Sequence, residues 1–325
     1  MATSLTPHFA FFKGHIVPIE EAKVSIMTHA FNYGTGVFEG IRAYWNEEQQ
    51  ELYVFQLAAH YARFLRSCKT LMLNIPYGVD DLCALTLDLL RREAYQTDVY
   101  IRPLAYVATE GIGVRLHDMK YEFALFAQPF GKYLDAGGGA RVGVSSWRRI
   151  DDNMIPARAK VCGAYVNSGF AKSEAMLNGY DEAIVLTQDG HVSEASAANF
   201  YMVRDGKAIT PPASDNILEG ITREVVRDLL RRDMAVEVGE RSIDRTELYQ
   251  ADEAFFCGTG VEIVPIVEID HRKVGDGKVG PLVSRLRQLY FDAVRGKLPH
   301  YQHWCMPVYA QPGAAIPRME HARAT

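Results

Sequence analysis

Apolar positions recur along this chain with two periods. In the first third, F-A-F-F-K-G-H-I-V-P-I sets a Lys-Gly turn between apolar runs and predicts a hairpin, and E-L-Y-V-F-Q at 51–56 predicts a strand. Leu57, Tyr61, Phe64, Leu65 and Cys68 then recur at steps of three and four, and Leu82, Leu85, Leu89 and Leu90 do the same, so two helices are expected, the second over about 79–95. V-Y-I-R-P-L-A-Y-V-A and Y-E-F-A-L-F-A-Q return to strand character.

G-K-Y-L-D-A-G-G-G-A, residues 131–140, breaks both patterns, because its three consecutive glycines have no side chains to pack and much backbone freedom to lose. It divides the chain into an expected small N-terminal domain (1–131), a linker (132–140) and a larger domain (141–310), followed by a tail (311–325) expected to be disordered. In the larger domain, R-V-G-V-S-S-W predicts a strand. A helix is expected to open at Lys160 and stop near Asn178-Gly179, with a stripe of small residues at Ala164, Ser168, Ala171 and Ala175. E-A-I-V-L-T, a long strand through A-N-F-Y-M-V, and K-A-I-T-P-P follow as antiparallel hairpins. A helix is expected from Gly220-Ile221-Thr222, then strand, glycine turn and strand through C-G-T-G-V-E-I, then a last helix from Pro281 to about Arg295. The fold class is α+β in two domains, mostly antiparallel.

At 325 residues, 48% hydrophobic and 23% charged, the chain is long enough for a substantial core. A net charge of −5 with scattered arginines disfavours nucleic acid as a partner. Five cysteines, the closest pair fifteen positions apart, suggest neither a metal knuckle nor a disulfide framework, and the ten histidines show no metal spacing. No stretch of about 18 apolar residues and no leader pattern occur, so a cytoplasmic protein with no membrane partner and a small-molecule substrate is expected.

Two glycine turns invite a nucleotide-binding reading and fail it. Y-G-T-G-V-F-E-G has glycines at 34, 36 and 40 but Glu39 where the dinucleotide fingerprint needs glycine, and C-G-T-G-V-E-I holds only half the pattern. No G-x-S-x-G elbow supports a serine hydrolase. Lys160, in A-K-V-C-G-A-Y, sits among small and apolar residues. A lysine shielded in this way favours its free amine, which condenses with aldehydes such as pyridoxal phosphate. That cofactor needs a phosphate cradle, and the start of the helix at 220–222 and the G-T-G turn at 258–260 both offer backbone amides. It also needs a carboxylate at its ring nitrogen, and Glu194 lies among small residues in an apolar run. Each candidate also has an ordinary reading by residue type: Lys160 and Arg63 as solvated charges, Glu194 as an outward-facing strand residue, the G-T-G as a hairpin turn, and Tyr165 and Tyr100 as amphipathic core.

The order of the motifs is more specific than any one of them. Y-G-T-G-V-F-E-G-I-R (33–42), Y-I-R-P-L (100–104), S-S-W-R-R (145–149), A-K-V-C-G-A-Y (159–165), S-E-A-S-A-A-N-F (193–200), G-I-T-R (220–223) and G-T-G-V-E-I-V-P-I (258–266) run in family order over about residues 10 to 295. The sequence resembles fold-type IV pyridoxal-phosphate enzymes, and within them branched-chain amino-acid aminotransferases. The resemblance implies a small N-terminal domain and a larger one whose antiparallel strands form a pseudo-barrel. It implies Lys160 as the cofactor-bearing lysine and proton shuttle, Glu194 at the ring nitrogen, Tyr165 at the ring oxygen, and Asn199 in support. Arg63, Ile221, Thr222, Gly258 and Thr259 would hold the phosphate, while Phe38, Gly40, Tyr100, Arg102, Thr259 and Gly260 would bind the substrate. It implies ping-pong transfer of amino groups between leucine, isoleucine or valine and 2-oxoglutarate, without a metal, by a homodimer or higher homo-oligomer in which a loop of each subunit completes the other's site.

Two features depart from the family pattern. The segment T-E-G-I-G-V-R-L-H-D (109–118) carries Arg115, His117 and Asp118 where many relatives have an uncharged, proline-rich turn, and Asn32 replaces a frequent histidine near the expected pocket mouth. These keep open an (R)-selective amine:oxo-acid transaminase as main or side activity. A non-catalytic relative of the fold is the remaining alternative.

Overall fold

The structure is a computed structural model and describes residues 7–131 and 138–310. Most of the expected linker and the whole tail at 311–325 lie outside those residues. In chain order the first part comprises β1 (Phe9–Phe12), β2 (His15–Pro18), α1 (His29–Tyr33), β3 (Gly36–Phe38), β4 (Ile41–Asn46) and β5 (Glu51–Phe55), then α2 (Leu57–Thr70), α3 (Val79–Glu93), β6 (Val99–Val107) and β7 (Tyr121–Pro129). The second begins with β8 (Ala140–Arg148), α4 (Tyr165–Leu177), β9 (Glu182–Leu186), β10 (Val192–Ala195), β11 (Asn199–Arg204), β12 (Lys207–Thr210) and α5 (Ile221–Arg232). It continues through β13 (Val238–Glu240), β14 (Glu253–Gly258), β15 (Glu262–Ile269), β16 (Arg272–Lys273), α6 (Pro281–Val294) and β17 (Cys305–Pro307).

The arrangement is α+β in two domains. One sheet runs β17-β5-β4-β6-β7-β1-β2, with β3 also on β6, and all its pairings are antiparallel. The other runs β10-β9-β8-β15-β14-β11-β12-β13, with β16 on β15. It is mixed, because β8 is parallel to both β9 and β15, and β12 to β13. The β8–β9 step is parallel because the chain crosses over through α4 between them, returning to the same end of the sheet. The last strand, β17, pairs with β5 of the first sheet, so the segment expected to belong wholly to the larger domain ends in the smaller one's sheet.

Period-two alternation sends successive strand residues into different cores. Tyr201, Phe255 and Ile263 meet α5 and α6 at Val225, Leu229, Leu286 and Tyr290, whereas Phe200, Phe256 and Val264 face Val142, Ile184 and Ile266 across the curled sheet. α2 and α3 cover the first sheet with Tyr61, Phe64, Leu82 and Leu89. The small-residue stripe of α4 lets it approach closely, with Ala171 and Ala175 on Ala183 and Val185.

Three local expectations are corrected. The helix expected to open at Lys160 opens at Tyr165; Lys160 instead lies in an extended segment whose Val161 bridges to Val37 of β3. Backbone contact causes this: the Gly163 amide bonds the Gly34 carbonyl at 3.1 Å, and a Cβ at Gly34 would meet the Gly163 Cα at 2.9 Å. The long strand through Glu194 is interrupted between β10 and β11, and β10 carries a register shift between Val192 and Glu194, which re-aims the glutamate. Gly139, expected to have nothing to pack, adopts φ +94°, and a Cβ there would lie 2.3 Å from a Val267 methyl.

Candidate active site

A cavity of about 760 Å³ opens between the two sheets. All the residues expected to bind cofactor or substrate line it: Phe38, Gly40, Arg63, Tyr100 and Arg102 from the first part of the chain, and Lys160, Tyr165, Glu194, Asn199, Ile221, Thr222, Gly258, Thr259 and Gly260 from the second. Residues far apart in sequence thus converge on one volume of small-molecule size.

Lys160 is held by its backbone, not by a helix. Its amide donates to Ser67 Oγ at 3.2 Å and its carbonyl accepts from the Phe38 amide at 3.1 Å. The half-buried side chain extends into the cavity, where Nζ hydrogen-bonds the Tyr165 hydroxyl and lies 4.9 Å from the centre of the Phe38 ring. Tyr165 comes from the first turn of α4, and its ring packs on Phe38 at 4.7 Å.

Glu194 is buried in the cavity wall. Its Oε2 accepts from Asn199 Nδ2 and the Leu218 amide, each at 3.0 Å, and its Oε1 pairs with Arg149 Nη2 at 2.9 Å. Burial pushes the carboxyl above its ordinary range, and the Arg149 charge, the Leu218 amide, Lys160 and Arg63 offset this only in part.

A second group of residues, joined to Glu194 through the Leu218–Gly220 turn, is cationic. Arg63, on α2, is buried and donates from Nε and Nη2 to the two oxygens of Glu39, both at 2.7 Å, and from Nη1 to the Glu219 carbonyl at 2.9 Å. His60 Nδ1 lies 2.9 Å from Glu39 Oε2. Burial favours the neutral form of both, but the Arg63 charge and the hydrogen bonds from His60 and Arg63 hold Glu39 down to about 2, while burial keeps the His60 imidazole below its usual range. An ionised carboxylate only accepts, so the neutral imidazole carries its proton on Nδ1. Beside this triad the first amides of α5, at Ile221 and Thr222, face the cavity, with Gly220 preceding them. A Cβ at Gly220 would lie 2.0 Å from Asn199 Oδ1, so glycine lets this helix start press against the residue that supports Glu194. The β14–β15 turn adds Gly258, Thr259 and Gly260.

On the remaining wall Arg102 is sandwiched, its guanidinium carbon 4.4 Å from the Phe38 ring centre and 5.1 Å from that of Tyr100. Arg102 Nη2 donates to the Tyr100 hydroxyl at 3.0 Å. A Cβ at Gly40 would sit 2.0 Å from that hydroxyl, so only glycine leaves it room.

Glu39, His60, Ser67, Arg149 and Leu218 were given no role from the sequence. Glu39 carried a readable signal, an acid within the apolar run V-F-E-G-I, of the same kind that marked Glu194. His60, Arg63 and Ser67 form a polar stripe at steps of three and four on the otherwise apolar buried face of α2. Arg115, His117 and Asp118 are exposed and do not line the cavity. Asn32 does not line it either; its amide donates to the carbonyls of Ile26 and Thr28 at 2.9 and 3.0 Å.

The chain is similar to known proteins over nearly its whole length. Residues 36–269 match the model of the amino-transferase class IV family. A probable branched-chain-amino-acid aminotransferase of Aquifex aeolicus is 51% identical over 309 residues, covering 95% of this chain and 99% of that one. The crystal structure of a branched-chain aminotransferase from Thermoproteus uzoniensis with norvaline is 44% identical with a TM-score of 0.89, covering 94% and 100%. That of a T.th. branched-chain amino acid aminotransferase complexed with N-(5'-phosphopyridoxyl)-L-glutamate is 40% identical, also at 0.89, covering 93% and 99%. With the family model spanning most of its length and such relatives covering almost all of it, this chain belongs to the class IV aminotransferases.

Proposed function

We propose that the protein transfers the amino group of leucine, isoleucine or valine to 2-oxoglutarate in a ping-pong cycle with pyridoxal 5'-phosphate as cofactor. One observation carries this: Lys160 projects into a cavity that is also lined by a buried carboxylate, a buried arginine, a helix start and apolar side chains. When bound, the cofactor supplies an aldehyde carbon for the amino group and an electron-withdrawing ring. The donor set fits it at each point. Arg63, the amides of Ile221 and Thr222, Gly258 and Thr259 hold the phosphate. Glu194, supported by Asn199, holds the proton on the ring nitrogen, and the Tyr165 hydroxyl donates to the ring oxygen.

Lys160 Nζ anchors the cofactor and, once displaced by the substrate amine, carries the proton to and from the substrate α-carbon. Tyr100 and the amides of Thr259 and Gly260 take the α-carboxylate. Phe38 and other apolar groups enclose an aliphatic side chain, with Gly40 giving the Tyr100 hydroxyl its room and Arg102 stacked behind as a wall. The relative with a phosphopyridoxyl-glutamate adduct supports glutamate and 2-oxoglutarate as the second pair.

We further infer a homodimer in the cytosol. Ile26, Phe31, Ile112 and Val114 cluster where α1 meets the 109–118 segment, with Phe31 69% and Ile112 101% exposed. Thr28 bridges to Glu110 there, and the Gly111 amide bonds the Met27 carbonyl at 3.2 Å. Exposed large apolar side chains on two segments that touch are often covered by a partner, and a second copy is the simplest one. All five cysteines are free thiols, as in a reducing compartment. No helix among the described residues is long and apolar enough to cross a membrane.

The test is the visible spectrum of the purified protein with L-leucine and no oxo acid. We expect a yellow band that leucine discharges stoichiometrically and 2-oxoglutarate restores. Absence of the band after adding pyridoxal phosphate, or discharge only by (R)-1-phenylethylamine, contradicts the reading.

A further inference from the structure

Glu194 has one cationic partner in hydrogen-bond contact among the described residues, Arg149, and their geometry is built from both sides. The Arg149 amide donates to the Leu186 carbonyl at 2.8 Å, so its backbone is tied to β9, next to β10. Its Nε donates to the Asn216 carbonyl at 2.9 Å, leaving Nη2 on Glu194 Oε1 at 2.9 Å. Asn216 in turn donates from Nδ2 to Asp151 Oδ1 at 3.0 Å, and two residues on, the Leu218 amide serves Glu194 Oε2 at 3.0 Å. One loop therefore fixes the arginine and one oxygen of the carboxylate together. The two oxygens differ: Oε2 receives only neutral donors, whereas Oε1 meets a full positive charge.

A buried carboxylate favours its neutral form, and neutral donors compensate less than a cation does. A protonated Glu194 would have no charge to offer a ring N–H. We propose that Arg149 is a positioning residue that keeps Glu194 ionised and aimed at the cofactor's ring nitrogen, acting through the carboxylate. This rests on the assignment of Glu194 to the ring nitrogen given above. The guanidinium also repels a protonated ring from beyond the carboxylate, but the directly paired carboxylate lies nearer, so the net effect is attraction.

The experiment compares retention of two cofactors by the intact protein: pyridoxal phosphate and its 1-deaza analogue, which has carbon in place of the ring nitrogen. Parent, Arg149→Met, Arg149→Lys and Glu194→Gln are measured by equilibrium dialysis, and the ring-nitrogen protonation is read from ¹⁵N NMR of labelled cofactor. Arg149→Met is expected to weaken retention of pyridoxal phosphate about tenfold, the effect of one unit of carboxylate pKa, while changing the analogue by less than about twofold. It should also shift the ring-nitrogen signal toward the unprotonated form. Arg149→Lys, which keeps the charge, should retain most of the preference. Equal weakening of both cofactors, no change in either, or tighter retention of pyridoxal phosphate overturns the proposal; if Arg149→Met does not fold, loss of the preference in Arg149→Lys overturns it. If Glu194→Gln does not alter the preference, the assignment of Glu194 itself fails, a result separable from failure at Arg149.

Discussion

Glu39 and Glu194 are both buried carboxylates, one paired with Arg63 and the other with Arg149, yet their surroundings act in opposite directions. Glu39 meets a two-pronged guanidinium and an imidazole N–H, and is held down to about 2. Glu194 meets one prong of a guanidinium and two neutral donors, and burial leaves it above the ordinary range. Similar burial thus yields a permanent charge or a titratable one according to how many charged contacts the carboxylate receives. The consequence for chemistry follows. Arg63 is already neutralised by Glu39, so a phosphate there must lean on the amides of α5 and the β14–β15 turn as much as on the arginine. Glu194, by contrast, is a carboxylate whose charge burial disfavours.

Breaking the Glu39 pair has the larger effect. Glu39→Gln leaves Arg63 buried with half its partner, and should cost about 3–5 kcal/mol of stability and weaken cofactor retention. Urea unfolding checks this, and a loss below about 1 kcal/mol would mean that solvent or another group compensates Arg63. A smaller effect separates the two carboxylates by pH in the cofactor-free protein. Glu39, lowered from 4.5, contributes stability that is complete above 4.5 and lost as pH falls toward about 2. His60, lowered from 6.5, stays neutral in the fold and loses stability as pH falls below 6.5. Glu194 is raised, so its cost is present above its folded pKa and fades as pH falls toward 4.5. Glu194→Gln removes that relief, so the parent should hold its stability better than the variant as pH falls from 7 toward 4.5. Parallel unfolding curves for the two would count against a raised Glu194.

The contrast also explains what the sequence could reveal. Lys160 and Glu194 were legible because charged residues among small and apolar neighbours are costly unless used. The long helices and strands were legible from their periods, and the glycine turns from their composition. Glu39 carried the same signal as Glu194, but it lay in a motif read for its glycines. Arg149 was visible only as part of S-S-W-R-R, because its partner lies across the β8–β9 crossover and its aim depends on the Asn216–Leu218 loop. Lys160 was placed in a helix because nothing local records the Gly34–Gly163 contact that holds its segment extended. The short strands β3 and β17 escaped because three residues show no period, and their pairing is set by distant partners.

The most direct test of this account is ¹³C NMR of the glutamate side-chain carboxyls in cofactor-free protein from pH 8 down to the acid limit of the fold, with Glu39→Gln and Glu194→Gln used to assign the two signals. The account predicts that on acidification the Glu194 signal leaves the ionised position before the Glu39 signal does. Two flat signals, or two that titrate together, would contradict it.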